Sequence, residues 1–579
     1  MFQPVLDPLG GSLGWSSLVA ALPLVVFFVL LGVLRVQAWL SALAALGTAV
    51  VVAVAAYGMP VTQSLNSAVL GAVFGLFPIM WIVVNALWVY QMTVDTGHFE
   101  VLRRSFSKLS DDQRLQAVIV AFCFGALLEA LAGFGAPVAI SAVMLIALGF
   151  KPFKAATVAL VANTAPVAFG AMGTPVITLS QLTGLQLEDV SSTVGRQTPL
   201  LAAIVPVLLV WLVDGRRGVR QTWVPSLACG LAFAVSQFVC SNYISVELTD
   251  VVASLFSVGV LVLVMRVRGS YTLLPVEEQE SGPQESGGAG GASASPSGTS
   301  GGTASGTSGG TGSGTAAGTD TEVPAAPAAE DSPRAALKAY LPYAVIIVIF
   351  AVTQIPAVKT VLEKGAVVFD WPGLSVADPV TGEPVAATAF NFNWLPATGT
   401  MLLLSGVLTA ALLSISPGIA VRAYGRTLHQ LRWAILTVAA VLALAYVMNL
   451  SGQTATIGHG IAGAGAGLAF LSPVLGWLGV AVTGSDTSAN ALFGTLQVAA
   501  AKSSGLSPEL LASANSSGGV LGKMLSPQNL AIAAAATGLG GREAELLRKV
   551  VGWSLALLLL MCVLVFLQST SVLGWMLPV

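Results

Sequence analysis

Three ionisable residues sit inside long apolar stretches, and their neighbours limit the chemistry they could do. Lys523 follows Gly522 and precedes Pro527 in a run that is otherwise apolar or small. A lone ammonium within a membrane span costs several kcal/mol and needs a counter-ion or a cavity. It either attracts a small anionic substrate or is structural, paired with Asp486 or reaching water along its own apolar stem. Asp486 lies in Thr483-Gly484-Ser485-Asp486-Thr487-Ser488-Ala489-Asn490. Desolvated, it would hold a proton near neutral pH; beside Lys523 it would stay ionised. The plainer reading is a helix cap, a position that Asp and Ser favour. Glu129, in Leu127-Leu128-Glu129-Ala130-Leu131, has apolar neighbours on both sides. A carboxyl there is most cheaply kept neutral, which makes it either a proton-carrier candidate or a hydrogen-bonded structural acid. His459 also titrates in the useful range, but Thr456-Ile457-Gly458-His459-Gly460 reads as a loop at the outer surface.

Neutral donors and acceptors accompany these charges in a repeated pattern. Residues 162–175, ANTAPVAFGAMGTP, recur at 514–527 as ANSSGGVLGKMLSP, an offset of 514 − 162 = 352 with five of fourteen positions identical. Each copy carries Asn, hydroxyls, Gly and Pro where a plain spanning helix would carry Leu, Ile and Val. Each also follows a hairpin-like apolar stretch, whose glycines Gly133 and Gly484 precede Asn163 and Asn515 by 30 and 31 residues. A duplicated, interrupted helix is the sequence mark of a secondary transporter's substrate site. Asn163, Thr164, Asn515, Ser516 and Ser517, with Gly133, Gly135 and Ser485 at the hairpin tips, are therefore substrate-site candidates beside Lys523. Half-helix N-termini aim N–H groups and a positive dipole end at anions. This suits a carboxylate with an adjacent hydroxyl, and equally other small organic anions. The small residues also suit close helix packing alone.

The elements that must position these residues follow from composition. The chain is 55% hydrophobic and 9% charged, far outside the soluble range, and reads as an all-α polytopic protein of the lipid bilayer. Apolar runs of about 20 residues near 17–34, 38–57, 67–92, 155–181, 197–213, 222–242, 248–265, 340–357, 395–415, 433–452, 509–536 and 550–567 predict twelve crossings. The stretches 115–150 and 461–501 are too long for one span and break at Gly-rich centres, which predicts re-entrant helical hairpins, tolerated where backbone is buried in protein. With the N- and C-termini outside, twenty of the 25 basic residues fall on the cytoplasmic side, among them Arg114, Lys154, Arg216 and Arg542. The two hairpins then enter from opposite sides, an inverted repeat. Residues 1–268 form the first membrane half and 335–579 the second. Between them 269–334 is a cytoplasmic linker, its part 281–319 almost entirely Gly, Ser, Thr, Ala and Pro. The outside segment 358–394 carries no interpretable motif.

Several function classes are excluded. The basic residues are scattered, so no nucleic-acid surface is expected. No catalytic constellation is present, and His98, His429 and His459 lie too far apart in sequence for a metal motif, so neither an enzyme, a metal site nor a cofactor is expected. The four cysteines lie in apolar segments without metal-type spacing and read as packing. Nothing in the chain sets an oligomeric state.

Leu128-Glu129-Ala130-Leu131-Ala132-Gly133-Phe134-Gly135-Ala136-Pro137-Val138-Ala139-Ile140, followed by Asn163-Thr164-Ala165-Pro166-Val167-Ala168-Phe169-Gly170, resembles the lactate permease family of bacterial inner membranes. So do Thr483 to Asn490 and the run from Ala514 to Asn529, and the likeness covers nearly the whole chain apart from the linker. The resemblance implies proton-coupled uptake of L-lactate, with D-lactate and glycolate as related substrates. Lys523 and the broken-helix termini would then hold the carboxylate, Thr164, Ser516 and Asn515 would read the 2-hydroxyl, and Glu129 or Asp486 would take the proton. A rival is a sodium-coupled carrier of other small organic anions such as dicarboxylates, because unwound carbonyls beside Asn, Ser and Thr also coordinate Na⁺.

Overall fold

A computed structural model describes residues 1–133, 135–268, 332–377 and 384–578. The expected tether at 281–319 and Phe134 of the first hairpin tip lie outside them. The described residues on either side of the linker belong to one compact unit. Among the described residues nine helices are long and apolar enough to cross a membrane, or ten if Pro152–Ala162 and Val167–Thr183, bent by 62°, count as one span. The protein is thus a polytopic helical membrane protein. The stretches expected at 197–213 and 222–242 run together in the 57-residue Leu187–Tyr243, with non-helical backbone at Asp214 and Gly215. The stretch expected at 395–415 is the shorter helix Thr398–Leu412.

Loop contacts join segments that the charge pattern assigns to one side of the membrane. Arg114 bonds Asp112 (2.7 Å) and Asp214 (3.1 Å), Lys154 donates to the Val213 carbonyl (2.7 Å), and Ser105 meets Tyr340 (2.9 Å). Elsewhere the Phe2 N–H donates to the Ser375 carbonyl (2.9 Å) and Arg196 to that of Met576 (2.6 Å). The motif-free segment 358–394 holds two antiparallel strands, Val367–Asp370 and Ala389–Phe392, with Val367 opposite Phe392.

Two helix-turn-helix pairs and two interrupted helices build the interior. The first pair is Gly125–Ala132 and Ala136–Ala147. Its first arm continues a π-helical stretch, Val118–Phe124, and every residue from Val118 to Ala132 is buried, as expected of a helix apolar all round. The second pair is Gly467–Thr483 and Asp486–Ser504. Both turns need a left-handed residue, Gly135 at φ 87° and Gly484 at φ 75°. Ser485 caps the second by accepting from the Ser488 N–H at 3.3 Å.

The first interrupted helix comprises Pro152–Ala162, a 3₁₀ turn Val167–Phe169, and Gly170–Thr183. Ala171, Met172 and Gly173 follow one another at φ 44°, 57° and 72°. Left-handed backbone costs a non-glycine residue about 1–3 kcal/mol and persists only where packing enforces it, typically at functional sites. The second comprises Pro508–Gly522, a 3₁₀ turn Lys523–Leu525, and Pro527–Ala536, whose start Ser526 caps. It breaks at Lys523–Ser526 and stays helical through Asn515–Ser517. Its glycines suit this: a methyl on Gly518 or Gly522 would collide with the carbonyls of Pro473 and Trp477 in the adjacent helix, and one on Gly476 with that of Asn515.

Candidate functional site

The turns of both helix pairs and the breaks of both interrupted helices meet around a cavity of about 50 Å³. That is room for roughly three to five waters, or one small molecule. Gly133 and Gly135 line it from the first turn, Ala171 and Pro175 from the first break, Ser485, Asp486 and Thr487 from the second turn, and Lys523, Gln528 and Asn529 from the second break. Helices begin at Ala136, Asp486 and Pro527, so several N-termini face this space.

Glu129 and Lys523 close the cavity as a buried ion pair, 2% and 4% exposed. The Lys523 ammonium is bonded to Glu129 Oε1 and donates to the Gly133 carbonyl at 3.2 Å, at the negative end of the helix that carries Glu129. Asn163 Nδ2 donates to the other carboxylate oxygen, Glu129 Oε2, at 2.9 Å. Gly170 packs on the pair, where a Cβ would stand 3.1 Å from Glu129 Oε1. The structural pairing weighed from sequence joined Lys523 to Asp486; the bonded partner is Glu129, because the first helix pair rather than the second meets the ammonium.

Asp486 is held differently. Ser516 Oγ donates to its Oδ2 at 2.6 Å and Asn490 Nδ2 at 3.4 Å, while Oδ1 has no hydrogen-bond partner among the described residues. Asn490 also donates to the Pro175 carbonyl at 3.1 Å, which ties the second helix pair to the first interrupted helix. Each helix pair thus contributes one acid, held by a polar residue of the repeated motif: Asn163 for Glu129 and Ser516, 516 − 352 = 164, for Asp486.

The remaining candidates stand one layer back. Asn163, Thr164, Asn515, Ser516 and Ser517 are buried but do not line the cavity. Thr164 donates to the Val161 carbonyl at 2.8 Å, and Asn515 to Asn490 Oδ1 at 2.9 Å; Ser517 Oγ has no partner among the described residues. Because the second helix breaks eight residues after Asn515, Gln528 and Asn529 take lining positions that sequence reasoning did not assign. His459, expected in a surface loop, lies half-buried in the helix Gln453–Ile461, its Nδ1 2.9 Å from the Ala455 carbonyl. Sequence reasoning also passed over Asp250, which is fully buried at the start of the helix Thr249–Arg268. The rule that singled out Lys523, a lone charge within an apolar run, would have found it.

The chain is similar to several known proteins. The family model described as L-lactate permease matches residues 16–295 and 315–572. The chain is 40% identical to the L-lactate permease of Bacillus subtilis, over 99% of both chains, and 39% identical to that of Escherichia coli strain K12, over 100% of both. It is 38% identical to the glycolate permease GlcA of the same strain, over 97% of both. Among solved structures it is similar to the Alcanivorax borkumensis YdaH transporter, with a TM-score of 0.41, 14% identity, and coverage of 87% of this chain and 86% of that one.

Proposed function

The chain belongs to the L-lactate permease family, a family of transporters rather than enzymes, and from that premise we propose that it is a proton symporter of L-lactate, D-lactate and glycolate in the bacterial plasma membrane. The observation that carries the reading is the buried Lys523–Glu129 pair at the edge of a cavity sized for one small molecule.

Charge counting gives the mechanism. In the empty carrier Lys523 and Glu129 neutralise each other. An entering carboxylate binds Lys523 only by displacing Glu129, which would leave two anions beside one cation in a buried site. Two like charges about 4 Å apart at an effective dielectric near 20 repel by about 4 kcal/mol, a factor of roughly a thousand in occupancy. A proton on Glu129 removes that repulsion. The loaded site then holds Lys523⁺, neutral Glu129 and the substrate anion, so one proton travels with one monoanion and no net charge crosses. Asp486, with no bonded cation among the described residues, remains the second candidate for the proton.

Ser485, Thr487, Gln528 and Asn529 present the groups that meet the 2-hydroxyl. Asn163, Thr164, Asn515, Ser516 and Ser517 form the layer that orients the two acids. Twelve spans, with the two helix pairs as opposed re-entrant hairpins of an inverted repeat, supply alternating access around the midplane site. Both termini lie outside and the linker in the cytoplasm.

The test is uptake of labelled L-lactate into proteoliposomes under an inward proton gradient without sodium. Accumulation abolished by a protonophore, and inhibited by glycolate but not by succinate, is the expected result. Uptake that begins only when sodium is added, or that only succinate inhibits, overturns the coupling ion or the substrate class.

A further inference from the structure

Asp250 has no part in the exchange described above, yet it lies beside it. Gln237 Nε2 donates to its Oδ1 at 3.3 Å, and Oδ2 has no partner among the described residues. The same amide reaches the Ala165 carbonyl, in the break of the first interrupted helix, at 3.4 Å. Among the described residues no cation is bonded to this carboxyl, since Lys523 is engaged with Glu129. A fully buried carboxylate held by one long amide contact is expensive to ionise, so its cheapest state is neutral.

Its position matters as much as its burial. The preceding turn, residues 244–248, borders a large cavity and packs on the backbone beside the small one. On one side Val246 and Glu247 line a vestibule of about 360 Å³, together with Glu188, Glu363 and Lys359. On the other side the Val246 carbonyl packs over Gly173, where a Cβ would meet it at 3.1 Å, two residues from the cavity-lining Ala171. Three acids to one lysine give the vestibule a negative field, which gathers protons rather than lactate. Glu247 is held there by Ser245 Oγ (2.6 Å) and Thr398 Oγ1 (3.0 Å), one helical turn before Asp250.

Among the described residues, the titratable groups around Asp250 are few. Glu129 lies on the helix Gly125–Ala132, which packs against the helix of Asp250, and Lys523 is bonded to Glu129. Cys240 comes from the helix Val205–Tyr243 and Glu247 from the preceding turn. Cys123 comes from the π-helical stretch and sits beside Ser257, two turns further along. The helix Gly170–Thr183, also packed against this one, carries no titratable residue.

We propose that Asp250 first takes up the transported proton, from the acidic vestibule, and passes it to Glu129 as the substrate carboxylate displaces Glu129 from Lys523. This rests on the proton-symport reading. One O–H bond breaks on Asp250 as one forms on Glu129. The negative charge returns to Asp250, and the next proton from the vestibule neutralises it.

Asp250→Asn keeps an oxygen for Gln237 but cannot carry the proton. In proteoliposomes with a gradient of one pH unit, wild type accumulates L-lactate about tenfold. D250N should still exchange internal for external lactate, yet accumulate none. If wild type itself fails to respond to the proton gradient, the symport reading falls; if wild type responds and D250N accumulates equally, only the role of Asp250 falls. Should D250N exchange poorly, Asp250→Glu, which keeps the carboxyl, should restore both activities. Loss of both activities in both variants, or a D250E that exchanges without accumulating, overturns the proposal.

Discussion

If the transport is proton symport as proposed, replacing Glu129 with Gln should yield a carrier that responds to voltage. The substitution is nearly isosteric, and Asn163 can receive it: its Oδ1 has no partner among the described residues and can accept from the new amide. Lys523 keeps its 3.2 Å bond to the Gly133 carbonyl but loses its counter-ion. The empty site then carries one positive charge and the loaded site none, so each inward cycle moves one negative charge without a proton. The membrane potential acts on that charge with about 2.3 kcal/mol per 100 mV. At 1.36 kcal/mol per decade this is about a 50-fold accumulation ratio. The assay is lactate uptake into E129Q proteoliposomes clamped with valinomycin and an inward potassium gradient to about 100 mV, interior positive. Wild type should ignore this potential and follow the pH gradient, whereas E129Q should follow the potential and ignore the pH gradient. An E129Q protein that still accumulates lactate on a pH gradient, blind to voltage, would refute the assignment of the proton to Glu129 and the charge count behind it.

Three further outcomes follow from the same geometry. Lys523→Ala removes the ammonium proposed to meet the carboxylate, a charge-assisted bond worth about 1.5–3 kcal/mol, so lactate affinity measured by displacement of labelled substrate should fall roughly 10- to 150-fold; unchanged affinity would take Lys523 out of the proposed binding site. Asp486→Asn keeps an oxygen to accept from Ser516, so proton-driven accumulation should persist within a few-fold of wild type, and its loss alongside a fully coupled E129Q would move the proton to Asp486. Gly518→Val would drive a side chain into the backbone of Pro473; overpacking of about 1–3 kcal/mol or more should lower the melting temperature in detergent, and an unchanged melting curve would mean that the two helices stand further apart than described.

The sequence by itself determined the class of the protein and singled out three charges that the fold buries around one cavity. Composition requires the bilayer, because so few charges over so many apolar residues cannot dissolve. The repeated Gly and Pro mark both interruptions within a few residues, since local backbone preference acts between neighbours. Lys523, Asp486 and Glu129 are conspicuous for a similar local reason, a charge among apolar side chains. Tertiary structure alone decided their partners. Glu129 and Lys523 are 394 residues apart, and no local rule prefers that pairing to Lys523 with Asp486, 523 − 486 = 37 residues away. It arises because the first helix pair packs against the break in the second half. The exact site of that break was likewise a packing outcome: Asn515 to Ser517 stay helical where Gly476 and Gly518 let two backbones touch, and the chain yields only at Lys523 to Ser526, ahead of a proline that cannot donate to the turn before it.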